Sequence, residues 1–74
     1  MTVSEQVARQ AKFLLGWAKG KQITKLQGST FHSSGKWMTK IDAETSQAML
    51  DAGLTTGNLN AFKMNKAAVN ALGG

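Results

Sequence analysis

Apolar side chains recur at Val7, Ala11, Leu14, Leu15 and Ala18, a spacing of three and four residues that lays them along one stripe of an α-helix. Ser4 precedes the stripe as an N-cap, and Glu5 stands in the first turn, where the helix dipole favours a carboxylate. Gly20 closes this helix, with Lys19 and Lys21 at its negative end. A second helix is predicted from the cap Asp42, with Glu44 in its first turn and a narrow apolar edge of Ala48, Met49 and Ala52. It stops at Gly53, whose freedom to take positive φ lets Leu54 fold back onto Met49. A third, short helix runs from the cap Asn65 to Leu72 and ends at Gly73.

Strand-like alternation lies between the second and third helices. Leu54–Thr56 and Leu59–Met64 flank Gly57-Asn58, a pair suited to a two-residue hairpin turn, with Phe62 and Met64 turned towards the core. Residues 21–41 carry two readings. Ile23–Leu26 is a candidate short strand, Ser33-Ser34-Gly35 is turn-like, and Trp37–Ile41 fits a strand or a helix equally well. The expected architecture is α+β, with three helices and a short β-hairpin in a single domain over 1–74, Gly73-Gly74 being a flexible tail.

Seventy-four residues leave room for one small core, since a chain of this length buries only about 60% of its unfolded surface. Without cysteine there can be neither disulfides nor thiolate metal sites, which suits a reducing compartment. The apolar run Phe13–Ala18 is too short to span a bilayer, and Met1-Thr2-Val3-Ser4-Glu5 lacks a basic leader, so a cytoplasmic protein without membrane contact is expected. Charge adds the sharpest information. Between Gln6 and Ile41 stand Arg9, Lys12, Lys19, Lys21, Lys25, Lys36 and Lys40, with no carboxylate, and the net charge is +5. A field this one-sided steers anionic partners to part of the surface.

The order of helix, short strand, uncertain element, helix, hairpin and short helix resembles that of small winged-helix regulators, some of them phage-type. The likeness lies in Met49-Leu50-Asp51-Ala52-Gly53-Leu54, similar to the end of that family's third helix running into its wing. Phe62-Lys63-Met64-Asn65, followed by an Ala-rich helix, is similar to the wing's return strand. It covers residues 42–74 and implies a winged-helix-like fold and a role in transcription. The helix carried over as the groove reader, 43–52, departs from the family pattern. Glu44, Gln47 and Asp51 share one face, and no Lys or Arg is there to read guanine.

The expected nucleic-acid contacts are therefore Lys19, Lys21, Lys25, Lys36, Trp37 and Lys40, where lysines flank an aromatic ring able to stack on an unpaired base. Five phosphate contacts would give a log–log salt slope of about −4.5 on duplex DNA. The competing reading takes Trp37 as a core ring with the lysines as its solvated neighbours. Phe13 and Trp17, an i, i+4 pair beside Arg9, form either a second core face or a partner-binding patch, which a homodimer could also use. His32 has no cysteine partner and no orienting acid near Ser29, Ser33 or Ser34, so no catalytic constellation is assembled. Gly28 to Gly35-Lys36 is too long for a phosphate loop. The leading expectation is a non-enzymatic regulator without cofactor or metal that binds nucleic acid, DNA ahead of RNA. The alternative is a phage-type modulator that binds an acidic protein surface or a host assembly such as the transcription machinery, through Arg9, Phe13 and Trp17.

Overall fold

The computed structural model describes residues 4–72; the tail expected at Gly73-Gly74 lies outside them. Eight elements follow one another: α1 (Glu5–Ala18), β1 (Ile23–Lys25), β2 (Phe31–Ser34), β3 (Trp37–Lys40), α2 (Ala43–Asp51), β4 (Thr55–Gly57), β5 (Ala61–Met64) and α3 (Lys66–Asn70). The strands form one antiparallel sheet in the order β3-β2-β1-β5-β4. This overturns the winged-helix expectation. Residues 21–41 supply three strands and no helix, and the supposed wing, β4–β5, is the far side of a five-stranded sheet joined through β1.

The helix termini follow their local chemistry at Ser4, Gly53 and Asn65 and depart from it at Lys19 and Asp42. Ser4 Oγ accepts the Val7 N–H at 3.2 Å and caps α1. The helix ends earlier than Gly20, because Lys19 itself takes the left-handed conformation (φ 52°) and Gly20 continues it (φ 84°). Asp42 occupies the N-cap position of α2 in extended conformation, but its carboxylate makes no capping bond, contrary to the expected cap. At the other end both Schellman bonds are made: Leu54 N–H to the Met49 carbonyl at 2.8 Å and Gly53 N–H to that of Leu50 at 3.0 Å. Asn65 caps α3 through its side-chain oxygen, which accepts the Ala68 N–H, while its amide donates to the Gly53 carbonyl. That side chain ties the third helix to the end of the second.

The β4–β5 turn sits further along the chain than Gly57-Asn58. Asn58 Oδ1 accepts the N–H groups of Asn60 and Ala61, and Asn58 N–H bonds the Ala61 carbonyl. An asparagine side chain mimicking backbone draws the turn to residues 58–61. Gly57 is left as the last residue of β4, at φ 120°.

Packing divides the sheet into two unlike faces. Ile23, His32, Ser34, Thr55, Phe62 and Met64 are buried beneath the helices, joined by Val7, Ala11, Leu14 and Ala18 from α1, Met49 from α2 and Val69 from α3. The period-2 alternation of strands sends their neighbours to the opposite face. There, matched registers set Met38, Ser33, Thr24 and Ala61 in one row across four strands, and Lys40 against Phe31 beside it. Leu26, whose N–H bonds the Phe31 carbonyl, extends that second row. Among the described residues no helix covers this face, and none is long and apolar enough to cross a membrane.

Candidate nucleic-acid interface

Two chain reversals bring Lys19, Lys21 and Lys36 of the basic segment together at one end of the sheet. After α1, the left-handed pair Lys19-Gly20 turns the backbone, and Lys21 N–H bonds back to the Ala18 carbonyl at 3.0 Å. Opposite, β2 and β3 are joined by the two-residue turn Gly35-Lys36, since Ser34 pairs directly with Trp37. Gly35 has φ 63° and Lys36 does not share its positive φ, the pattern of a type II′ turn with glycine first. A side chain at position 35 would strain that turn, so glycine there is what aims Lys36 and Trp37 outward.

Between the two reversals lies an open cleft of about 390 Å³ lined by Trp17, Ala18, Lys19, Lys21, Ser34, Gly35, Lys36 and Trp37. Its size falls within the range of small-ligand sites, and two tryptophans and three lysines are among the residues that line it. Trp37 is 64% exposed, so the core reading of this ring fails. Among the described residues, edge strand β3 has no neighbour on its outer side to cover the ring. Lys36 Nζ lies 5.9 Å from the Trp37 ring centroid, within cation–π range. No carboxylate lines the cleft, and none of its three lysines makes an ion pair among the described residues.

The expected contact set thus divides. Lys19, Lys21, Lys36 and Trp37 converge, whereas Lys25 and Lys40 do not line this cleft. Lys25 pairs with His32, and Lys40 with Phe31, at the opposite end of their strands from the β2–β3 turn. The partner-binding trio divides as well. Trp17 packs partly on the core and walls the cleft. Phe13, 52% exposed, and Arg9 lie one and two turns back along α1, in a shallow groove with Glu5, Gln6 and Gln10. Arg9 is engaged there by Glu5 one helical turn away, which offsets its charge. Trp17 is the residue whose place sequence reasoning missed. Its i+4 relation to Phe13 was visible, but its proximity to Lys21 and Lys36 depends on β2 and β3 being a hairpin.

His32 lies on the helix side of β2 and is 1% exposed. Its Nδ1 is 2.9 Å from the Thr30 carbonyl oxygen, which can only accept, so Nδ1 carries the proton. Nε2 is buried without a hydrogen-bond partner among the described residues, and the ring tilts against Phe62 at 5.8 Å. Burial pushes its pKa below the ordinary 6.5; the Thr30 hydrogen bond opposes that and the Lys25 charge adds to it. This histidine belongs to the core. Among the described residues no group of three or more His, Asp or Glu side chains could hold a metal ion. Compared with protein-family models, curated proteins and solved structures, the chain finds no significant match.

Proposed function

We propose that this protein is a non-enzymatic module that binds single-stranded nucleic acid, with Trp17 and Trp37 contacting an unstacked base and Lys19, Lys21 and Lys36 holding the adjacent phosphates. The observation that carries this reading is that two tryptophans and three lysines, with no carboxylate, line one open cleft. A base offers every aromatic ring a π-face, and stacking contributes about 1–3 kcal/mol per base. Lysines around the rings add the salt-dependent backbone attraction.

Single strands are favoured over duplex for two reasons. A base inside a helix is already stacked on its neighbours and cannot meet Trp37 without being flipped out. Nor does α2 offer a groove reader: Glu44, Gln47 and Asp51 are exposed on it, and Gln47 Nε2 donates to Asp51 Oδ1 at 2.7 Å. The link to transcription rested on the winged-helix resemblance and gains no support from a five-stranded sheet.

Fluorescence anisotropy with a labelled oligothymidylate of roughly twelve nucleotides tests the reading, being long enough to fill a site of the usual size. Three phosphate contacts give a log–log salt slope of about −2 on single strands, and further contacts steepen it. Trp37→Ala should weaken binding by about tenfold or more, the equivalent of one lost stacking contact. The chain should keep its fold by circular dichroism, because the ring is mostly exposed. Absence of binding at low salt, or binding indifferent to Trp37→Ala, would overturn the proposal.

A further inference from the structure

The helix-free face of the sheet carries an apolar patch that the cleft does not use. Phe31 is 47% and Met38 55% exposed, and Leu26 stands beside Phe31 just past the end of β1. Lys40 is the direct cross-strand partner of Phe31, which places their Cβ atoms about 4.5–5.5 Å apart. The strand positions facing this way include two lysines, Lys40 and Lys63, and no carboxylate. An exposed aromatic ring with an ammonium group beside it is the same pairing of stacking surface and phosphate contact found in the cleft.

Edge strand β3 connects the two surfaces. Its side chains alternate, so Trp37 stands on the helix side at the cleft while the next residue, Met38, stands on the open face. From Trp37 to Lys40 is about 10 Å along the strand, at roughly 3.4 Å per residue. A polynucleotide leaving the cleft at Lys36 therefore needs only to pass over the outer edge of β3 to reach Phe31. We infer that one single strand occupies both surfaces: it turns around β3 and stacks a second base on Phe31, between Met38 and Leu26, with its phosphate held by Lys40. This rests on the reading of the cleft as a single-strand site and extends it to a continuous track.

The same oligothymidylate of roughly twelve nucleotides distinguishes the track from the cleft alone. Phe31→Ala should lower its affinity about tenfold, as Trp37→Ala does. Lys40→Gln should flatten the salt slope by about 0.7, the increment for one phosphate on single strands. Both side chains are exposed, and circular dichroism of each variant checks that the fold is kept. If Trp37→Ala abolishes binding while Phe31→Ala and Lys40→Gln match the parent protein, the track is refuted and the cleft reading stands. If the parent protein binds no oligonucleotide, both fall. If sedimentation shows a dimer of the free protein that Phe31→Ala dissociates, with oligonucleotide affinity unchanged, the patch belongs to a second copy of the chain and the track is again refuted.

Discussion

Lowering the pH from 7.5 to 5.0 should destabilise this protein through one side chain, His32. In the folded state its neutral ring is favoured: Nδ1–H donates to Thr30, and Nε2 is buried with no hydrogen-bond partner among the described residues. Protonation would put a cation there, beside Phe62 and within the field of Lys25. Burial, the largest cause, sets the folded pKa below 6.5, so between that lowered value and 6.5 the unfolded chain binds more protons than the folded one. Stability therefore rises with pH through that window, and is lost as pH falls below 6.5. The slope cannot exceed about 1.4 kcal/mol per pH unit for one proton, so acidification to pH 5.0 removes at most about 2 kcal/mol. Against a total of roughly 4–11 kcal/mol for a chain of this length, that is a large share.

His32→Leu provides the control. The substitution removes the bond to Thr30, but that carbonyl still accepts the Ile41 N–H at 3.0 Å and is not orphaned. A hydrogen bond of about 1 kcal/mol is lost, while an unpaired buried acceptor that itself costs about 1–3 kcal/mol disappears. The two effects offset, and at pH 7.5 the variant should lie within about 1–2 kcal/mol of the parent. Urea unfolding followed by far-UV circular dichroism at both pH values measures the difference directly. Going from pH 7.5 to 5.0, that difference should move in favour of leucine by about 1–2 kcal/mol. An unchanged difference would show that His32 titrates normally in the folded chain, and the account of its burial would be wrong.

Backbone and core make further predictions. A Cβ at Gly57 would stand 2.6 Å from the Ala61 carbonyl oxygen, at φ 120°, so Gly57→Ala should destabilise by about 3 kcal/mol or more, read as a lower urea midpoint. Gly16 lies exposed within α1 with nothing within 4 Å of an added Cβ, so Gly16→Ala should raise stability by about 0.5–1 kcal/mol in the same assay. Equal effects of the two substitutions would contradict the backbone geometry. Leu14 is fully buried, and Leu14→Ala should cost about 2–5 kcal/mol, enough to leave much of the chain unfolded by circular dichroism at 37 °C.

The three helices are legible in the sequence because each carries its own signal. The stripe Val7–Ala11–Leu14–Ala18 is buried on α1, and Gly53-Leu54 closes α2 with both Schellman bonds. These signals are local, each formed by residues of a single helix or its cap. The sheet is different. Strands of three or four residues such as Ile23–Lys25 and Trp37–Lys40 hold too few side chains for a period of 2 to stand apart from a helical one. The turns sharpen the point. Gly35-Lys36 and Gly57-Asn58 are both Gly-X pairs, yet only the first makes a two-residue hairpin. Asn58 competes for the turn with its own side chain, whereas lysine has no short acceptor with which to do so.

That one turn decides how the site is read. With residues 33–35 taken as a loop, Trp37 has no defined face, Trp17 belongs to another surface, and the lysines are only a charge pattern along the chain. Once Ser34 pairs with Trp37, alternation puts Trp37 at the end of α1 and Met38 on the far side of the sheet. Charge pattern alone grouped Lys25 and Lys40 with the others because they lie in the same acid-free segment. Strand direction separates them: Lys40 stands three residues along β3 from Trp37, and Lys25 stands at the far end of β1, four residues beyond Lys21. On the proposed function, sequence charge supplies the expectation of an anionic ligand, while the hairpin register determines which cations share one surface.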